Sequence, residues 1–192
     1  MTSASLYQQV MGAGFAQLPA PLQRFHTLNG SHTLYGAVEV GAPASLTARL
    51  IARCLGAPLQ AVKGPIRFEL RADAASEVWT RHFPGKTMTS RLIFDAGQLV
   101  EQLGAARLGF ELRASPEKLE MKLIRLRFFG VPCPRWLLPA IVAEETAAIG
   151  RLHFHVRASL PLVGLVTRYR GYLDLPIAEH SSRLQGATEA TG

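Results

Sequence analysis

A chain of 192 residues with 48% hydrophobic and 18% charged residues is sized for one packed domain and is too apolar to be disordered. Its formal net charge of +7 comes almost wholly from arginine, since Lys63, Lys86, Lys118 and Lys122 are the lysines. The longest apolar runs, residues 131–143 and 158–166, are too short for a membrane-spanning helix, and Cys54 and Cys133 match neither a disulfide framework nor a metal spacing.

Ser5 stands before Leu6, Val10 and Met11, which predicts a short capped helix ending at Gly12-Ala13-Gly14. A second short helix is expected near Pro21, turning Leu22 and Phe25 toward the core. After the Asn29-Gly30 turn, Leu34, Gly36, Val38 and Val40 alternate with Tyr35, Ala37 and Glu39 in a first strand. Pro43 is placed to open a longer helix whose Leu46, Leu50, Ile51, Cys54 and Leu55 form one apolar stripe, away from Arg49 and Arg53. Gly56 and Pro58 close it, and its expected job is to cover one end of a sheet.

From Gly64 the period is two. Ile66, Phe68, Leu70 and Ala72 alternate with Arg67, Glu69, Arg71 and Asp73; Trp79, Arg81 and Phe83 then share a face up to Pro84-Gly85. Met88, Ser90, Leu92 and Phe94 follow, and Asp95-Ala96-Gly97 turns into a short strand around Leu99 to Leu103. Leu108 to Ala114 and Leu119 to Phe128 form a central hairpin about Ser115-Pro116-Glu117. Two apolar residues meet at Leu123-Ile124 and the phase flips, placing Ile124, Leu126 and Phe128 on one face, which predicts a β-bulge. Pro132-Cys133-Pro134 breaks the ladder before a short turn at Arg135 to Leu138. Residues 142–149 fit helix or strand. Leu152, Phe154, Val156 and Ala158, then Thr167, Tyr169, Gly171 and Leu173, restore the alternation.

The pattern predicts a mainly β (α+β) fold. Its core is a strongly curved antiparallel sheet, a barrel or half-barrel of about nine or ten strands, with two or three short N-terminal helices. A single β-rich domain is expected over residues 1–176 and a flexible tail over residues 177–192. The first basic residue is Arg24, so no charged secretory lead is recognised, and a cytoplasmic location is expected.

Leu6-Tyr7, Leu18-Pro19 and Phe25-His26, with Trp79-Thr80-Arg81-His82-Phe83 and residues 160–165, resemble a bacterial domain of unknown function, number 4166. The closing Tyr169-Arg170-Gly171-Tyr172-Leu173 is the most specific piece of that resemblance, with Tyr172 where the family often has tryptophan. The resemblance runs from about residue 6 to 176. It implies a domain often fused behind an NAD(P)-binding, short-chain-dehydrogenase-like or saccharopine-dehydrogenase-like domain, of which this chain shows nothing. It implies no catalytic residues.

Other motifs are weak. Gly-x-Ser-x-Gly is absent, and Gly12-Ala13-Gly14 follows no strand and lacks the third glycine of a dinucleotide loop. His153 and His155 share a strand face and could join a metal with Glu144, Glu145 or His82, yet no third ligand stands at a telling spacing. Arginines scattered along strands are expected to pair with Glu69, Glu111 and Glu120, and no nucleic-acid motif accompanies them.

The leading expectation is a non-enzymatic domain that binds a lipid-like or other hydrophobic small molecule in the sheet's concavity, without cofactor or metal. Phe68, Trp79, Phe94, Phe110, Met121, Phe128, Phe154 and Tyr169 would line it, and Arg81 would meet an anionic end. One alternative is an accessory domain docking on an NAD(P)-dependent reductase through Trp136-Leu137-Leu138. The other is an enzyme with a His153/His155 site.

Overall fold

The computed structural model describes residues 4–148 and 150–175; the tail expected at residues 177–192 lies outside them. The chain begins with α1 (Leu6–Met11), a 3-10 turn and α2 (Ala20–Phe25), and a third helix, α3 (Leu46–Cys54), joins the first two strands. Those are β1 (Gly30–Gly41) and β2 (Val62–Ala72); β3 (Ser76–Phe83), β4 (Lys86–Asp95), β5 (Gln98–Leu103) and β6 (Ala106–Ala114) follow. The remainder is β7 (Lys118–Phe128), the two-residue β8 (Val131–Pro132), β9 (Ala140–Ala148), β10 (Arg151–Leu160) and β11 (Gly164–Asp174). Residues 142–149, compatible with either element, thus fall mostly in a strand.

Every ladder is antiparallel. β1 pairs with β11 and β6 with β7, so ten strands close into a barrel and β8 remains a spur on β7. Closure removes the open edges that a sheet of this size would otherwise present. Inward positions hold the apolar alternation, with Leu34, Phe68, Leu92, Phe110, Leu119 and Leu152 all buried. Outward positions hold charges that pair along a strand, as Arg67 with Glu69 in β2 and Lys118 with Glu120 in β7, or across strands, as Arg170 with Glu39 and Lys118 with Glu144.

The barrel has two unlike ends. At one, α1 and α2 enter the lumen and bury Leu6, Tyr7, Leu22 and Phe25. Ser5 caps α1 by accepting from the Gln8 N–H, and the Gln8 side chain accepts from the Ser5 N–H. We call this the plug end. α3 lies at the other, the lid end, tied at its start by the Ala44 N–H donating to Leu165 O (2.8 Å) and at its finish by Ala105 N–H donating to Cys54 O (3.3 Å).

Three sequence expectations need correction. α3 begins at Leu46, capped by Ser45, and not at Pro43. Its buried face is Ala48 and Ala52, while Leu46 and Leu50 point to solvent. The helix lies against the β5–β6 turn so closely that a Cβ on Gly104 would stand 2.4 Å from Cys54 O, a spacing that favours small side chains beneath it. The bulge does occur: Gly109 faces Arg125 and Phe110 faces Leu123, leaving Ile124 as the extra residue of β7. Ile124 is therefore exposed and does not share the inward face of Leu126 and Phe128.

The β1–β11 seam explains the closing glycine motif. A Cβ on Gly171 would fall 2.0 Å from Ala37 O and 2.9 Å from Phe154 Cζ. Backbone at such a distance cannot give way without opening the seam. Gly171→Ala is expected to destabilise the fold by about 1–3 kcal/mol in urea unfolding, on the scale of overpacking in a closed core. Gly14→Ala, whose Cβ would meet nothing within 4 Å, should stay within about 0.5 kcal/mol of the parent.

Candidate functional site

The inward face of β3 carries Glu77, Trp79, Arg81 and Phe83 in a row, a polar strip where apolar residues are the rule. Trp79 is held from both sides: its Nε1–H donates to Glu77 Oε2 at 2.8 Å, and the Arg81 guanidinium lies 5.0 Å from its ring centroid. Toward the plug end, His26 Nε2 meets Glu145 Oε2 at 2.7 Å, joining the end of α2 to β9. The Tyr7 ring stacks on His26 with centroids 3.8 Å apart. All of these side chains are buried.

This cluster is a costly thing to enclose. Burial, reinforced by Glu145, raises the Glu77 carboxyl above its ordinary value despite His26 and the Trp79 N–H. Burial, with Glu145 and Glu77 adding to it, pushes the Tyr7 phenol well above its usual range. His26 Nδ1 is buried without a hydrogen-bond partner, and among the described residues His26 bonds to no hydroxyl or thiol. The His26–Glu145 pair fastens the plug to the wall.

Toward the lid end the lumen holds a cavity of about 110 Å³, walled mostly by apolar side chains. Phe68, Trp79, Arg81, Phe110, Met121, Phe154 and Tyr169 line it. Phe94 and Phe128 do not. Phe94 sits near the end of β4 and is exposed, and Phe128 packs edge-on against Phe129 past the bulge. Arg81 Nη1 donates to Ser90 Oγ at 3.0 Å and Nη2 stands 3.5 Å from Glu101 Oε1, leaving guanidinium N–H groups without a protein partner among the described residues. Thr167 Oγ1, on the same wall, is buried with none. Burial also raises the Tyr169 phenol, against the pull of Arg81.

Sequence reasoning missed Tyr7, His26, Glu77 and Glu101. Glu77 was findable: it continues the two-residue phase of Trp79, Arg81 and Phe83, which makes it an inward carboxylate. His26 and Glu145 are brought together only by the fold.

The outer wall has an open groove of about 440 Å³ crossing from β9 to β2, lined by Glu144, His153, His155, Arg170, Glu39 and Lys63 among others. His153 and His155 do share its face, opposite Thr146 and Glu144. Glu145 points into the barrel, and His82 sits 3.1 Å from Glu69. Of the groups weighed with the two histidines only Glu144 is brought beside them, where it pairs with Lys118, and among the described residues no three histidines, cysteines or carboxylates gather as a metal site.

These features define a closed antiparallel barrel with a helical plug, a buried polar cluster and a small lumen. The profile of a family described as Domain of unknown function (DUF4166) matches residues 18–173, and the chain belongs to that family. No curated protein matches it. Among solved structures it is similar to the crystal structure of Rv2717c from M. tuberculosis, at 11% identity and a TM-score of 0.44, covering 83% of this chain and 99% of that one. No helix among the described residues is long and apolar enough to cross a membrane.

Glu77 supplies a pH signature. A carboxyl with a raised folded-state pKa adds most to stability below its ordinary value of 4.5, and that contribution is lost as pH rises through the folded pKa. Glu77→Gln keeps an acceptor for Trp79 and removes the charge. Its urea midpoint relative to the parent should climb as pH rises above the ordinary value of 4.5, and a flat difference would show that Glu77 is not held at this cost.

Proposed function

We propose that the barrel is a binding domain for a compact hydrophobic molecule carrying an anionic or hydrogen-bonding end. The observation that carries the reading is the lumenal cavity of about 110 Å³, apolar over most of its wall, with Arg81 and the unpartnered Thr167 hydroxyl on it. An apolar void of roughly this size takes a guest on the scale of a single aromatic ring. A long acyl chain would need the plug or a wall to move, which narrows a lipid-like ligand to a short or cyclic one. Trp79, Phe68 and Phe154 supply the contact area, and Arg81 supplies charge-assisted donors to a carboxylate. Glu101 and Ser90 hold the guanidinium in place without exhausting its donors.

Native mass spectrometry of freshly purified protein should detect a small co-purifying molecule. In thermal-shift titrations, ring-sized aromatic or branched carboxylates should raise Tm more than their neutral amides. Arg81→Met should erase that preference, lowering carboxylate affinity roughly tenfold or more while sparing the amides. If no compact carboxylate or neutral analogue shifts Tm in the parent protein, the proposal fails.

A further inference from the structure

From surface features independent of the cavity, we infer that the lid end is a docking face for a membrane surface bearing anionic lipids. The apolar side chains that a folded barrel would be expected to hide are concentrated there. Leu46 (86% exposed) and Leu50 (63%) stand on the outer face of α3, and Leu162 (106%) tips the β10–β11 hairpin. Trp136 (79%) lies in the 3-10 turn before β9, and Phe129 (70%) in the β7–β8 turn.

The topology places these segments together. Ala44 N–H donates to Leu165 O and ties the start of α3 to the β10–β11 hairpin, while Ser45 Oγ donates to Val163 O. The end of α3 abuts the β5–β6 turn, whose Ala105 O accepts from Phe129 N–H. β9, entered from the Trp136 turn, starts opposite the end of β10. Leucine at Leu162 is held at φ +62°, a left-handed conformation that a branched apolar side chain rarely adopts, and it projects that side chain fully into solvent.

Charge selects the partner. The lid-end connections lie in residues 40–68, 78–94, 102–110, 121–143 and 151–173, and none of these stretches contains an aspartate or glutamate. They do contain exposed Arg49, Arg53, Arg127, Arg135 and Arg168, none ion-paired among the described residues. The plug-end turns, by contrast, carry Asp73, Glu117 and, at the close of β11, Asp174. Protruding leucines, a tryptophan and a phenylalanine on connecting stretches that carry arginines and no acid match an anionic interface. The apolar tips enter the headgroup region, tryptophan settles at that depth, and each arginine gains from the surface potential. A protein partner of ordinary composition would bring acids of its own, but separated tips on separate loops offer it no continuous apolar core.

The intrinsic probe is already in place. Trp79 is sealed in the barrel and Trp136 is exposed, so a shift in emission on binding reports Trp136. The experiment adds phosphatidylcholine vesicles, with and without phosphatidylserine, to the full chain, and follows co-sedimentation, emission and quenching by brominated lipid. Binding to the phosphatidylserine vesicles, a blue shift absent from Trp136→Phe, and weakening with added salt are expected. Leu46→Ser with Leu162→Ser should abolish the quenching. Arg49→Glu with Arg135→Glu should lower partitioning by about tenfold or more while leaving the thermal midpoint near the parent's. The inference is overturned if anionic vesicles fail to sediment the protein at low salt, or if bound protein shows no Trp136 quenching. Reversible self-association removed by the same leucine variants, without vesicle binding, also overturns it and assigns the face to a second copy.

Discussion

A closed sheet fixes its own circumference, and ten strands enclose more space than their inward side chains alone are suited to fill. That excess volume governs the rest of the structure. At the plug end it is occupied by Leu6, Tyr7, Leu22 and Phe25 from the first two helices. At the lid end it is left partly open beneath Leu55 and Ala57, beside Arg81. The helices are therefore components of the core and not ornaments on it.

The polar groups in the lumen follow the same division. Near the plug they are largely satisfied by one another, with His26 on Glu145 and Trp79 on Glu77, so their hydrogen bonds fix how the helices sit. Each of these bonds joins groups too costly to bury alone, which makes the arrangement specific more than stabilising. Farther up, Arg81 and Thr167 retain hydrogen-bonding capacity that the protein does not use. Trp79 connects the two regions, bonded to the carboxylate below and stacked against the guanidinium above. A change at Glu77 can thus be felt at Arg81 through a single rigid ring.

Much of the fold could be read from the sequence because a half-buried antiparallel strand writes its period plainly. The alternations around Phe68, Trp79, Phe110 and Tyr169 placed those side chains inward, and the doubled apolar step at Leu123-Ile124 marked the bulge. What escaped was whatever depended on a neighbour distant in the chain. The leucines of α3 looked like a core stripe because helical spacing cannot tell which face the barrel accepts; the close approach of Gly104 decides it. His26 and Glu145 carry no local signal at all, since their pairing exists only once α2 has entered a closed lumen. Phe94 and Phe128 failed for a simpler reason: alternation gives the side of a strand but not the height at which a barrel opens.

The seam between β1 and β11 has a kinetic corollary. All other neighbours in the ring are reached by hairpins or by connections of modest length, but β1 must find the last strand of the domain. Loop closure of that span is entropically expensive and topologically non-local, so the search for it is expected to govern the folding rate. Until Gly36 and Gly171 let the two backbones meet, two bare strand edges face solvent and the N-terminal helices have no finished lumen to enter. The glycines that make the finished wall tight therefore also set how long the nascent chain remains open to mispairing.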